Sequence, residues 1–401
     1  MKTFLYIFLL ISLIGCHNIP SHSFRLEGSV EGAKDSENIL LYYFTLQNEE
    51  WQEIADTAKI INGKFLMKGY IDGLTAAELC FDDQNVVISA RIYLEPTTMK
   101  LHINKNQPYT YQLSGTKVEK ENKELRKELA SYEPVYYEKL EDISNLIEQI
   151  KTRNDDTLIR DNLFSLMDQE KDSLRIIVLS MNKIRLDFIS EHPTYQIVSD
   201  LLYLLARQEY IPIDSLKSIY NNLPEQSKAS LLGKLANKQI EYQESKDKRK
   251  RNSLVGCMAP DFTRKSFSGK TIQLSEFKNK NVILLDFWAS WCSPCLKEIP
   301  TVKNLYDKYK GRGLRIIGVS LDTDSSRWIN AIGKHKLDRW PQILNNQNEA
   351  IANEDVLFNL YNIENGIPYF ILIDKQGKIA ARWEYLDKEQ LIELDSIVSK
   401  K

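Results

Sequence analysis

Two cysteines separated by two residues follow an apolar run, in the stretch LLDFWASWCSPCLKEIP at residues 284–300. Cys292 and Cys295 enclose a Ser-Pro dipeptide, and Asp286 is the charged residue of the run that precedes them. A pair at this spacing can be half of a metal site, a structural crosslink or a redox centre. The rest of the sequence decides among these three kinds of site.

The run before the cysteines is typical of a buried strand, and residues 293–310 have the pattern of a helix. A spacing of three residues at the start of a helix brings the two sulfurs close enough to bond. Cys292 would lie at the helix N-terminus, where free N–H groups and the macrodipole favour a thiolate. We therefore expect Cys292 to be the exposed attacking thiol, and Cys295, one turn further in, to resolve the mixed disulfide.

The metal alternative has less support from the sequence. A structural zinc site commonly has four ligands, from two such pairs or from one pair and two histidines. The chain has five cysteines and no second C-x-x-C pair, and the nearest downstream histidine is His335. We predict no metal and no cofactor. An inert crosslink stays possible, but the redox interpretation is favoured.

The N-terminus is typical of an export signal. Lys2 precedes the apolar stretch FLYIFLLISLI at 4–14, which is too short to span a bilayer as a mature helix. Leu13-Ile14-Gly15-Cys16 resembles a bacterial lipobox, so we expect a signal peptide at 1–15, a lipid on Cys16 and a tether at 16–23. An ordinary signal peptide with an incidental cysteine is the alternative. Both alternatives place the mature protein outside the cytoplasm, facing the periplasm.

Three further segments follow in the sequence. Residues 24–116 alternate apolar and polar residues between turn signals, which predicts a small antiparallel β-sandwich or barrel. Residues 117–252 contain one glycine and apolar residues at helical spacing, which predicts several helices, with a solvated helix end and linker in the charged run at 244–252. Residues 253–401 alternate strands and helices and end in a hairpin and a helix, as in an α/β fold with a mixed sheet. The 53 basic and 55 acidic residues give no support to nucleic-acid binding.

Two acids near the cysteines are candidates for proton transfer. Asp286 would share a strand face with Leu284 and Trp288, and a buried carboxyl with a raised pKa can take the proton of the resolving thiol. Glu298 lies one helical turn after Cys295 and can tune the thiols or relay a proton. The alternatives are a strand-end acid satisfied by a lysine or solvent, and a surface helix glutamate.

A proline begins a later strand in the stretch GIPYF. The Ile367-Pro368 bond can be cis at modest cost, and a cis-proline loop facing Cys292 would leave the backbone of Ile367 free to pair with an extended substrate. A trans proline that merely starts a strand is the alternative. We predict that Trp291, Ile367 and Pro368 contact the substrate.

Several stretches together resemble the TlpA/ResA branch of the thioredoxin superfamily. They are FWASWCSPCLKEIP, IIGVSLD, GIPYFILIDKQGKI and VGCMAPDFT, and the resemblance covers about residues 254–401. It implies a thioredoxin fold, a Cys292–Cys295 redox pair, a cis-Pro368 and an acid after the active site at Glu298. The segment before it is similar, more weakly, to an N-terminal extension found ahead of some TlpA-like lipoproteins, which implies no activity.

The sequence departs from this branch at two positions. Many members have asparagine where Asp286 stands, so this site combines two acids. Cys257 occupies a position where such proteins generally have another residue, and it is either a buried apolar thiol or a partner for Cys80.

The leading hypothesis is a lipid-anchored periplasmic thiol–disulfide oxidoreductase that reduces disulfides of other proteins. The resemblance implies a membrane electron donor of the DsbD or CcdA type, with cytochrome c maturation as one candidate process. One alternative is a thiol peroxidase, which is disfavoured because Ala289 stands where a Thr or Ser is wanted. Another is a binding lipoprotein whose first 250 residues carry the main role.

Overall fold

The computed structural model describes residues 22–47, 50–81, 88–152, 157–208, 210–345 and 356–399. The chain divides into two compact units, Met1–Gln243 and Glu244–Lys401. The predicted signal peptide, the Cys16 lipidation site and most of the tether lie outside the described residues. Within the part of the chain that is described, no helix combines the length and the apolar character needed to cross a bilayer.

Eight strands open the N-terminal unit and form two four-stranded sheets around a shared apolar core. The sheets have the strand orders β4-β1-β7-β8 and β3-β2-β5-β6. The strands are β1 Ser23–Glu31, β2 Asn38–Gln47, β3 Glu50–Lys59, β4 Lys64–Tyr70, β5 Thr75–Phe81, β6 Ile88–Leu94, β7 Thr98–Asn104 and β8 Gln107–Ser114.

The β-rich prediction is confirmed as a sandwich, with one correction to its topology. We expected antiparallel strands throughout, but β1 pairs with β7 in parallel, with Leu26 opposite Met99. Hairpin signals in the sequence reveal only neighbouring strands, and this parallel pair joins two strands that are distant along the chain. In β1 every second side chain is buried, as expected for a strand with one face on a core.

Helices follow the strands of the N-terminal unit. Their bounds are α1 Glu119–Leu129, α2 Glu133–Thr152, α3 Thr157–Glu191, α4 Val198–Ala206, α5 Ile213–Asn222, α6 Glu225–Ala229 and α7 Leu231–Asn252. Helix α7 continues to Asn252, so the predicted helix end is present at 244–252 and extends through the whole of this charged run. The division between the two compact units falls within this helix.

The second unit contains a five-stranded mixed sheet with the strand order β13-β12-β11-β14-β15, as the α/β prediction required. The central strand β11 pairs in parallel with β12 and antiparallel with β14. A two-stranded ribbon of β9 and β10 precedes this sheet. The elements are β9 Thr263–Lys265, β10 Thr271–Gln273, β11 Val282–Trp288, α8 Ser293–Tyr309, β12 Leu314–Ser320, α9 Ser325–His335, β13 Gln342–Leu344, α10 Leu357–Leu360, β14 Tyr369–Ile373, β15 Ile379–Trp383 and α11 Lys388–Val398.

Candidate active site

The cysteine pair follows directly after the C-terminal end of strand β11, the central strand of the sheet. Its side chains are almost all buried, because it is the central strand and apolar cores lie on both of its faces. The chain turns after Trp288, and the amide of Cys292 donates to the carbonyl of Ala289 over 3.1 Å. Helix α8 starts at the next residue, so the motif forms the junction of a strand and a helix.

Cys292 is the N-cap residue of α8, and it is bonded to Cys295 in a disulfide. The backbone amide of Cys295 donates to the sulfur of Cys292 over 3.2 Å. Pro294 lies in the first helical turn, where the missing N–H group removes no helical hydrogen bond. The amide of Cys295 and the N-terminus of the helix therefore lie where the Cys292 sulfur carries negative charge when the disulfide opens.

The two sulfurs are less accessible in this state than the sequence suggested. We expected an exposed Cys292, but the residue is 5% exposed and Cys295 is 3% exposed in the disulfide form. The reason is that both pack into the apolar core on one face of the sheet. The neighbouring Trp291 is 61% exposed, and it presents a large aromatic surface beside the disulfide.

The loop before β14 faces the disulfide. The Ile367–Pro368 peptide bond is cis, and the sulfur of Cys292 lies 3.7 Å from the carbonyl oxygen of Ile367. The preceding Gly366 has a φ of +89°, which is the left-handed conformation that glycine adopts without strain. The structure thus brings together three residues predicted for the site, Cys292, Ile367 and Pro368, from distant parts of the chain.

Asp286 lies on the strand face that carries Leu284 and Trp288, and those two side chains share a core with both cysteines. Burial, and secondarily the charge of Glu298, raises the pKa of the Asp286 carboxyl to about 7. A carboxyl with this pKa exchanges protons near neutral pH and can serve as a general base or acid.

Glu298 lies on α8 one turn after Cys295 and is partly buried. Its pKa is also raised, by burial first and then by the charge of Asp387. Because the charge of Glu298 also raises the pKa of Asp286, the titrations of the two carboxyls are linked electrostatically.

Sequence reasoning missed a polar network that holds the turn before Cys292. Asp322 is 7% exposed and accepts hydrogen bonds from the amide of Ser290 over 2.9 Å and from its hydroxyl over 2.5 Å. The hydroxyl of Ser320 donates to the same carboxylate over 2.6 Å. Trp288 pairs with Ser320 in the sheet. Ser290 and Asp322, two residues further along each chain segment, therefore lie close together. The signal was available, because parallel neighbouring strands end at the same edge of a sheet.

The other two cysteines within the described residues are not joined to each other. Cys80 is a buried free thiol, and Cys257 is a partly exposed free thiol whose sulfur contacts the carbonyl of Arg251. Cys257 is therefore neither of the two alternatives predicted for it, a buried apolar thiol or a disulfide partner of Cys80. In the described parts of the chain, no group of three or more His, Cys, Asp and Glu side chains is arranged to hold a metal ion.

Two family models match separate parts of the chain. The model of the AhpC/TSA family matches residues 255–390, and the model of a domain of unknown function (DUF4369) matches residues 24–122. The first match contains the cysteine pair, the cis-proline and both acids. The second covers the β-sandwich and the start of the first helix.

Curated relatives match the same region as the AhpC/TSA model. The thiol-disulfide oxidoreductase ResA of Bacillus thuringiensis subsp. konkukian is 35% identical over 125 residues, which are 31% of this chain and 66% of that protein. The ResA of a Bacillus cereus strain is 33% identical over 128 residues, which are 32% of this chain and 68% of that protein. The chain thus spans about two thirds of the length of these relatives.

A solved structure matches a similar share of this chain. The thioredoxin domain of a thiol-disulfide oxidoreductase from Bacteroides vulgatus is 32% identical, with 36% of this chain and 99% of that chain covered and a TM-score of 0.32. The relatives match the region in which β11, the disulfide and the cis-proline loop lie. By its sequence similarity to the curated ResA relatives, the chain belongs to the TlpA/ResA-like thiol–disulfide oxidoreductases of the thioredoxin superfamily.

Proposed function

We propose that the protein is an exported, lipid-anchored thiol–disulfide oxidoreductase that reduces disulfides of other proteins. The observation that carries this proposal is the position of the Cys292 sulfur. It lies at the N-terminus of α8, accepts from the amide of Cys295 and is 3.7 Å from the carbonyl oxygen of Ile367. A thiolate at this point is stabilised by the helix and faces a backbone that can hold an extended peptide.

The reaction begins with the reduced dithiol. The thiolate of Cys292 attacks one sulfur of the substrate disulfide, a mixed disulfide forms, and the other substrate sulfur leaves as a thiolate. The thiolate of Cys295 then attacks the sulfur of Cys292. This step releases the second substrate sulfur and leaves Cys292 and Cys295 joined, so two electrons pass from the protein to the substrate.

Resolution requires the thiol of Cys295 to lose its proton. Cys295 is buried in an apolar core, where a thiolate without nearby donors is costly. Asp286 lies on the face of β11 whose Leu284 and Trp288 pack in the same core as Cys295, and its pKa is about 7, so its ionised form can accept this proton. Glu298 is the second candidate, because it is on the same helix one turn later.

Substrate contact involves the exposed surface around the disulfide. Trp291 provides an apolar surface, and the backbone of Ile367 next to cis-Pro368 can pair with a substrate strand. Such a surface binds main chain rather than one particular side chain, which suits a range of disulfide-bearing proteins. A membrane thiol transporter of the DsbD or CcdA type would return electrons to the oxidised protein, and maturation of apo-cytochrome c is one candidate use.

A thiol peroxidase has less support. Such an enzyme wants a hydroxyl-bearing residue three positions before the reactive cysteine, and Ala289 stands there, fully buried. Consumption of hydrogen peroxide by the reduced protein at a rate exceeding its reduction of protein disulfides would favour the peroxidase.

Two measurements test the proposal. Cys295→Ser should accumulate mixed disulfides through Cys292 that mass spectrometry identifies, whereas the matched Cys292→Ser variant should trap none. Equilibration with glutathione and dithiothreitol gives the potential, and reductants and oxidants of this fold differ by ~150 mV. A potential near that of the strong oxidants, or trapping that does not depend on Cys292, would overturn the proposal.

A further inference from the structure

A cavity of about 690 Å³ lies within the N-terminal unit, between the sheet β3-β2-β5-β6 and the helices α1 to α4. Strand β5 explains why it forms there. Ala77 and Leu79 point into the sandwich core, and the alternate residues Glu78 and Cys80 line the cavity on the opposite face. The strand is therefore covered on both faces, and its second face carries polar side chains under helices instead of in water.

Two arginines in this cavity are paired with carboxylates of the protein itself. Arg91 donates to the fully buried Asp200 over 2.8 Å and to Glu78 over 2.5 Å. Arg126 donates to Glu119 over 2.5 Å and also lies over the ring of Tyr111. Each of these guanidinium groups therefore has its charge compensated by a carboxylate, as buried cations generally do.

Arg185 differs from both. It is partly buried on α3, and among the described residues its single hydrogen bond runs from Nη1 to Oδ1 of Asn182 over 2.8 Å. Within the same described ranges no carboxylate oxygen lies within ion-pair distance of it. Burial lowers the pKa of Arg185, which is the direction expected for a guanidinium without a carboxylate partner.

Asn182 gives a second, independent indication. It is 4% exposed and lines the cavity, and its Nδ2 is buried with no hydrogen-bond partner among the described residues. Because its Oδ1 accepts from Arg185, the amide nitrogen has to point away from that bond. The guanidinium of Arg185 and the amide nitrogen of Asn182 thus both line the cavity and have hydrogen-bonding capacity that no group of the described residues uses. Because buried polar groups normally have hydrogen-bond partners, the pair points to a ligand.

The other lining residues indicate what anion fits. Glu53, Glu78 and Glu133 also line the cavity, so a doubly charged anion would be repelled. Burial raises the pKa of Glu133 to about 7, opposed by the charges of Arg126 and Arg185, so near neutral pH it supplies only part of a negative charge to the arginine. A single carboxylate therefore fits this balance better than a phosphate.

Aromatic side chains form one wall. Tyr109 and Tyr137 stack with ring centroids 5.2 Å apart, and Tyr136 meets Tyr137 edge-on at 5.5 Å. Leu140 and Met181 add apolar surface to the same lining. The volume is within the range of small-molecule pockets, which combine apolar walls with a few directed polar groups.

We propose that this cavity binds a small monocarboxylate with an aromatic body, its carboxylate held by Arg185 and Asn182 and its ring by the tyrosine wall. This is a ligand site in the N-terminal unit and does not depend on the redox chemistry proposed above. It gives this unit a binding function of its own.

Calorimetry on the full chain tests the proposal with matched probes. Indole-3-acetate and 3-phenylpropionate are the carboxylates, indole-3-acetamide is the neutral isostere, and phenyl phosphate is the dianion. We expect a carboxylate to bind at least about tenfold more tightly than the amide, because a charge-assisted bond to arginine is worth that much. If neither carboxylate binds, if the amide binds equally well, or if phenyl phosphate binds best, the proposed ligand class is wrong.

Variants locate the binding. Arg185→Met should weaken carboxylate binding at least about tenfold, and Lys183→Met, an exposed position two residues away on the same helix, should leave it unchanged. Asn182→Asp places a carboxylate where the amide already accepts from Arg185, so it should raise the melting temperature and abolish carboxylate binding. This second variant keeps the test valid if Arg185→Met fails to fold. Carboxylate binding that survives in Asn182→Asp would overturn the proposal.

Discussion

Replacing Asp286 by asparagine should stabilise the redox unit at neutral and alkaline pH, because the folded wild-type protein disfavours the ionised carboxyl at this position. Burial, with a smaller effect of Glu298, raises its pKa from 3.8 to about 7. One pKa unit corresponds to about 1.4 kcal/mol, so ionised Asp286 costs the folded state up to about 4 kcal/mol. The value is an upper bound, since relaxation and solvent reduce it.

The pH dependence has a definite sign. Below the pKa of the unfolded chain, Asp286 is protonated in both states and contributes no difference. As the pH rises towards 7, the unfolded chain loses the proton while the folded one retains it, so the free energy of unfolding falls; above pH 7 the loss stays constant. The stability of Asp286→Asn relative to the wild type should therefore increase by about 2.5 kcal/mol between pH 5 and pH 8.

Urea unfolding followed by tryptophan fluorescence is a suitable assay. Five of the six tryptophans lie between residues 288 and 383, so the signal reports mainly the redox unit. The disulfide is kept oxidised, which removes the titration of Cys292 and Cys295 from the comparison. Asp338→Asn, at an exposed position of the same unit, is the control for losing one carboxylate.

A stability difference between Asp286→Asn and the wild type that does not change with pH would refute this reasoning. It would mean that Asp286 titrates as an ordinary surface acid. The proposed role in catalysis would fall with it, because an acid that is ionised throughout this pH range would be a much weaker proton acceptor for Cys295 near neutral pH. If the stability of Asp286→Asn relative to the wild type increases with pH, the folded protein retains a carboxyl that destabilises it. Such a residue is expected where the carboxyl takes part in the chemistry.

Three other variants test separate parts of the structure. Asp322→Ala leaves the amide and hydroxyl of Ser290 without their acceptor, so disulfide reduction should fall by about tenfold, with partial rescue by Asp322→Asn, in assays of kcat/KM. Trp291→Ala removes exposed aromatic surface, so KM for a protein disulfide should rise while kcat stays the same. Arg91→Met leaves the fully buried Asp200 without its cation and should destabilise the N-terminal unit by about 3–5 kcal/mol in a denaturant titration followed by circular dichroism.

The redox unit was predictable because its signals are local. Strand β11 is a continuous apolar run, helix α8 begins at the cysteine pair, and the hairpin of β14 and β15 has a glycine in its turn. The cis bond before Pro368 could be suggested but not established, since a single sequence cannot separate the two isomers of an X–Pro bond. The resemblance to a known family, rather than the residues alone, implied the cis form.

The features that were missed depend on contacts between distant residues. Asp322 meets Ser290 only because β11 and β12 are parallel neighbours that end at the same edge. Topology that no local pattern encodes also determines the pairing of β1 with β7. The same is true of the helices that cover the second face of β5. Cys292 was expected to be exposed because the motif indicates where a helix starts, but not how deeply its first residue is packed.

The most direct test of the account is the alkylation rate of Cys292 in the fully reduced protein as a function of pH, with each cysteine followed by mass mapping of its peptide. The amide of Cys295 and the start of α8 should hold Cys292 as a thiolate, so at pH 6 it should react with iodoacetamide faster than free cysteine and change little in rate between pH 7 and 9. Cys295 should react far more slowly. If Cys292 instead reacts no faster than free cysteine, and its rate climbs steadily up to pH 9, the proposed attacking thiolate does not exist.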